Sequence, residues 1–97
     1  MTAPGPLPRE ERVAAIDRIL RAAFAPTVLQ VRDDSQRHAG HAGARDGRGH
    51  FEVEIVSEAF SGLSPLARHR AVYDALGALM TTDIHALSIR ARAPDPA

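Results

Sequence analysis

The stretch HFEVEIVS, His50 to Ser57, alternates cleanly as far as Ile55. Phe51, Val53 and Ile55 fall on one side, and Glu52 and Glu54 fall on the other. Side chains of a strand alternate faces with a period of two, so this is a strand with one buried face. Such a clean alternation is expected of a half-buried antiparallel strand. A helix built on these residues would scatter its apolar groups around all sides.

The segments on either side decide what this strand pairs with. Downstream, EAFSGLSPLARHR breaks at Gly62, and Ser64 followed by Pro65 makes an N-cap and first-turn pair. A short turn of helix is expected near Leu63 to Arg68. Leu66, Val72, Tyr73, Leu76, Leu79 and Met80 then supply an apolar stripe to a helix ending near TTD. IHALSIRAR, Ile84 to Arg92, alternates again. His85, Leu87, Ile89 and Ala91 share one face; Ala86, Ser88, Arg90 and Arg92 share the other.

Upstream lies a polar loop from Asp33 to Gly49, and before it the β-branched strand TVLQVR, Thr27 to Arg32. A helix is expected from Pro8, with Glu10 and Glu11 in its first turn. Val13, Ile16, Leu20 and Phe24 form its apolar stripe, with Arg12, Asp17, Arg18 and Arg21 off it, and Pro26 stops it. MTAPGPLP, residues 1–8, reads as a disordered lead-in and PDPA, residues 94–97, as a tail. Residues 9–93 are left as one domain. The order helix, strand, strand, helix, strand is that of an α+β protein with helices on one face of three strands. A strand returning through a helix to another strand implies a parallel pairing, so the sheet is mixed.

Composition narrows the chemistry. Twelve basic residues balance twelve acidic ones, so no gross charge drives the chain onto nucleic acid or a membrane surface. Every basic residue is arginine. There is no cysteine, which excludes a disulfide, a thiolate metal site and a nucleophilic thiol. Metal chemistry here needs His, Asp or Glu, or ligands borrowed from a partner. No apolar run approaches the roughly 20 residues of a membrane span, and the N-terminus has no basic or apolar region of a secretory signal. A soluble, cytoplasmic protein is expected. No Ser-His-Asp spacing, nucleotide-binding glycine motif or paired-carboxylate motif emerges, so the chain does not read as an enzyme.

Three of the five histidines, His38, His41 and His50, lie in RHAGHAGARDGRGH, Arg37 to His50. Spacing alone makes them incidental side chains of a solvated loop, because no acidic or sulfur ligand completes a set nearby. A loop of that length is nonetheless often functional. His85, at the start of the last strand, reads on pattern alone as a core-edge histidine, although a strand-end imidazole is also a rigidly placed ligand. Arg68, Arg70, Arg90 and Arg92 are candidate phosphate contacts, set against ordinary surface charge balanced by Asp74 and Asp83. GHAG, Gly40 to Gly43, fits the GxxG pattern of KH nucleic-acid modules, but it lies between strands where that loop joins helices.

Read together, RDDSQRHAGHA, HFEVEIVSEAFSGLSPLARHRAVYDAL and IHALSIRARAP resemble the BolA family. The matching elements occur in order: Asp34-Ser35, His38, His50-Phe51, Val56-Ser57, Phe60, Gly62, Arg68-His69-Arg70 and His85-Ala86-Leu87. The resemblance covers residues 9 to 94. It implies the αββααβ arrangement of class II KH domains, with the turn near Leu63 as a short helix.

Two functions are implied. In the first, the chain pairs with a monothiol glutaredoxin and shares a [2Fe-2S] cluster with it and with glutathione. It acts in iron–sulfur cluster trafficking or iron-linked regulation. The thiolates come from the glutaredoxin and glutathione, and histidines come from this chain. His85 matches the family's HAL ligand; His41 and His38 rank level as the loop ligand, with His50 behind them. In the second, the chain is a DNA-binding regulator that uses Arg68, Arg70, Arg90 and Arg92. Alone it is expected to be a monomer or a weak homodimer.

Overall fold

A computed structural model describes residues 7–35 and 49–95. One turn of 3-10 helix at Arg9–Glu11 leads into α1, Arg12–Phe24. The strands β1 (Val28–Asp33) and β2 (Gly49–Val56) follow. After a 3-10 turn at Glu58–Phe60 come α2 (Pro65–Leu76), α3 (Leu79–Thr82) and β3 (Ile84–Arg92). The order is therefore αββααβ, as expected. Its paired helices are α2 and α3, though, and not a short helix near Leu63 followed by a long one. The extra turn at Glu58–Phe60 comes earlier than expected and is capped by Ser57, whose hydroxyl accepts the Ala59 N–H.

The sheet has the order β1-β2-β3. β2 runs antiparallel to β1 and parallel to β3. The alternating stretch is thus the central strand of a mixed sheet, with its antiparallel pairing on one side only. The parallel pairing arises because the chain crosses over through α2 and α3 before returning as β3. α1 and α2 pack together, α1 against β1 and α2 against β3. Between them and the sheet lie Ile16, Leu20, Phe51, Val53, Ile55, Phe60, Val72, Leu76, Ile84 and Ile89. The opposite face of the sheet carries the polar alternates, Gln30, Arg32, Glu52, Glu54, Ser88 and Arg90.

Two helices depart from the sequence reading. Arg12, expected off the apolar stripe, is buried, and so is Asp83, expected to balance surface arginines. The reason is mutual: Arg12 Nε donates to Asp83 Oδ2 at 3.0 Å. In α2, Val72 and Leu76 are buried, but Leu66 is 60% exposed and Tyr73 lies at the surface. At 3.6 residues per turn, Leu66 is rotated about 120° and Tyr73 about 100° from Val72. Leu79 and Met80 do pack against the core, but from α3, because Gly77 at φ 52° ends α2 and turns the chain.

Candidate histidine site

The site is built where β2 and β3 begin. Gly49 is the register partner of Ile84, but His50 is the partner of Ala86. One step along β2 thus matches two steps along β3, and the extra residue is His85. A bulge of this kind re-aims the side chain at which it occurs. Simple alternation puts His85 on the core face with Leu87 and Ile89. The bulge reverses that: Ile84 is buried and His85 is exposed. The signal was present in the sequence, since Ile84 is out of phase with Leu87 and Ile89 yet too apolar for the open face.

His50 meets His85 there. The two rings lie with centroids 5.2 Å apart and planes inclined by 48°. The backbone of His50 is held from the β1 side. Its carbonyl accepts the Asp34 N–H at 2.7 Å, and its N–H donates to Ser35 Oγ at 3.1 Å. Ser35 is itself placed by a turn in which its N–H donates to Asp33 Oδ1 at 2.8 Å. Such self-bonding is what short acidic side chains do at strand ends. The residues DDS are therefore a clamp on His50. Gly49 completes it, because a Cβ there would stand 2.7 Å from the Phe51 ring and 2.8 Å from Ser35 Oγ.

The ring spacing can be set against that of two imidazoles on one metal. A metal 2.0–2.1 Å from an imidazole nitrogen lies roughly 3.2 Å from the ring centre, so two imidazoles at a tetrahedral angle have centroids roughly 5 Å apart. The His50–His85 spacing matches that figure. Among the described residues no three His, Asp or Glu groups gather to hold a metal. Two imidazoles are fewer ligands than a metal centre takes. His38 and His41 lie outside the described residues, as does the GxxG stretch.

Arg68 reaches the part of β3 that carries Arg90 and Arg92. Arg90 and Arg92 are exposed on β3, with Glu54 the register partner of Arg90. Arg92 O accepts the Ser57 N–H, so by strand alternation the Ala91 carbonyl points to the unpaired edge of β3. There Arg68 Nη1 donates to it at 3.5 Å. Arg68 is thus half-buried and turned to the sheet edge, while Arg70 is exposed.

Residues 20–96 match the family of BolA-like proteins. The chain belongs to the BolA family. It is 44% identical over 81 residues to BolA-like protein 1 of Mus musculus, covering 84% of this chain and 57% of that protein. It is 43% identical over 74 residues to the DNA-binding transcriptional regulator BolA of Escherichia coli K12, covering 76% of this chain and 68% of that one. The BolA domain of SufE1 from Arabidopsis thaliana superposes with a TM-score of 0.76 at 41% identity, covering 86% of this chain and 92% of that domain. This BolA chain spans a little over half the length of the mammalian relatives it matches. No helix among its described residues is long and apolar enough to cross a membrane.

Proposed function

We propose that this BolA chain is a non-enzymatic adaptor that pairs with a monothiol glutaredoxin and shares a [2Fe-2S] cluster through histidine ligands. The carrying observation is the His50–His85 ring pair, held at the bulge in a chain without cysteine. His85 is the first ligand. The ring contact moves His50 ahead of His38 and His41 as the second. Two nitrogen ligands on one iron raise the reduction potential relative to an all-thiolate cluster. The protein's own part is to hold an exposed imidazole, His85, against a half-buried one, His50. The partner and glutathione bring the thiolates. In this reading the protein works in the cytoplasm and is a monomer or weak homodimer when alone.

The test is to mix the protein with cluster-loaded monothiol glutaredoxin and record visible absorption and circular dichroism. The spectrum is expected to change with wild type, to be unmoved by His85→Ala, and to change differently with His50→Ala. His38→Ala and His41→Ala are expected to behave as wild type. An unchanged wild-type spectrum, or the wild-type change with His85→Ala, rejects the reading.

A second reading, a DNA-binding regulator, is favoured by the name of the Escherichia coli relative. It requires the apo-protein to shift duplex DNA in a salt-dependent way, with Arg68→Ala and Arg70→Ala together weakening the shift. No binding at low salt removes it.

A further inference from the structure

We infer that Asp83 is a positioning residue for the histidine pair, selecting the bulged register that brings His85 to His50. This rests on the proposed role of that pair. Asp83 is the last residue before β3 and is 1% exposed. Its carboxylate takes three donors, two of them from the N-terminal segment. Oδ2 accepts the Leu7 N–H at 2.7 Å and Arg12 Nε at 3.0 Å, and Oδ1 accepts the Thr82 hydroxyl. Its backbone is committed as well. The Asp83 N–H closes α3 on the Leu79 carbonyl at 2.9 Å, and the Asp83 carbonyl accepts the Gly49 N–H at 2.8 Å.

That last bond sets the ladder between β2 and β3. Two registers compete for Ile84 to Arg92. In the unbulged one, simple alternation continues back from Leu87 and turns His85 to the core and Ile84 outward. In the observed one, Ile84 enters the core and His85 is the extra, exposed residue. A one-residue slip flips every side chain it reaches, so the two registers differ in which residue stands beside His50. The Asp83 anchor fixes the chain one residue before Ile84, tied through its carboxylate to α1 and to the entering chain. Burial of Ile84 acts in the same direction. The carboxylate takes its hydrogen bonds from Leu7, Arg12 and Thr82, and it acts on the histidine pair through the backbone.

The test reads the imidazole pair directly, by through-space NMR contacts between the His50 and His85 rings in the metal-free full chain. Arg12→Met with Asp83→Leu replaces the ion pair by apolar groups, a change that buried pairs often tolerate. Leu7→Pro removes one N–H donor to Asp83 and no charge. Phe60→Leu loosens the core at the opposite end of the sheet and serves as the control.

The ring contact is expected to fall below a third of its wild-type intensity in the double variant and to about half in Leu7→Pro. Phe60→Leu is expected to retain it. Wild-type intensity in a folded double variant overturns the inference, as does an equal loss in Phe60→Leu. Should the double variant not fold, unchanged contact in Leu7→Pro overturns it by itself. If the ring contact responds as expected while wild type leaves the glutaredoxin spectrum unchanged, the cluster reading fails and the positioning role stands.

Discussion

The two ends of β2 are both pinned by buried polar groups, but they are pinned differently. At the Val56 end the anchor is neutral. Ser57 Oγ donates to the Phe24 carbonyl at 2.6 Å and accepts the Ala59 N–H at 3.1 Å, near the Phe24 and Phe60 rings, which meet at a tilt of 37°. Every group there satisfies backbone left over from the end of α1 and the start of a turn. At the Gly49 end the anchor is an ion pair, Arg12 with Asp83, and next to it stand a bulge, two imidazoles and a hydroxyl clamp. A serine suffices to close a core. A buried charge pair is a costly way to do so, because desolvation offsets much of its attraction. What the charged end adds is definition of register, at the place where one residue more or less decides which side chain faces outward.

The comparison breaks most sharply under two large truncations. Asp83→Ala leaves Arg12 buried without its counter-charge and is expected to cost about 3–5 kcal/mol in urea unfolding. Phe60→Ala empties a fully buried site at the other end and is expected to cost about 3–5 kcal/mol as well. The two are matched in stability so that a second measurement separates them. Asp83→Ala is expected to remove the response of cluster-loaded glutaredoxin at temperatures where the protein is still folded, and Phe60→Ala to retain it. An equal response from both variants would mean that the two ends do not differ in role.

Gly49→Ala is the next largest. The added methyl would overlap the Phe51 ring and Ser35 Oγ, and overpacking of this kind costs about 1–3 kcal/mol. Ser35 is the group with freedom to yield, so the clamp on the His50 N–H opens first. A shift of the His50 amide resonance larger than that of any residue in α2 is the expected NMR result. A shift centred on Phe51 with His50 unmoved would show that the clamp does not carry the strain.

Much of this was legible in the sequence, and the failures have one physical source. The alternation of HFEVEIVS placed Phe51, Val53 and Ile55 in the core and Glu52 and Glu54 opposite, as observed. Ser64 and Pro65 placed the start of α2, where Ser64 Oγ accepts the Ala67 N–H. Both are local rules, met within a few residues. Arg12 and Asp83 are 71 positions apart, and nothing near either one announces the other. Read singly, each looks like surface charge. His85 failed for a related reason. Alternation assumes that the ladder advances one residue per strand, and the bulge is decided by what Asp83 and Ile84 bind across the fold. The candidate ligand itself was legible because the resemblance singled out the HAL stretch. The contact of His50 with His85 was not legible, since it is set by the bulged register between two strands.

The finest test of the difference between the ends removes one hydroxyl from each. Ser57 is 1% exposed, and Ser57→Ala leaves the Ala59 N–H without its cap and the Phe24 carbonyl without its donor. The expected cost is about 1–2 kcal/mol. Ser35 is only partly buried, so water can replace its oxygen at the His50 N–H, and Ser35→Ala is expected to cost about 0.5–1 kcal/mol. Stability and site response should therefore run in opposite orders. Ser57→Ala lowers the unfolding midpoint more and leaves the glutaredoxin spectrum at its wild-type shape. Ser35→Ala lowers the midpoint less and alters that spectrum, because the clamp holds His50 in place while Ser57 holds only the frame. If the spectrum follows stability instead, the DDS stretch is one more strand terminus, and the division between a closing end and a positioning end is lost.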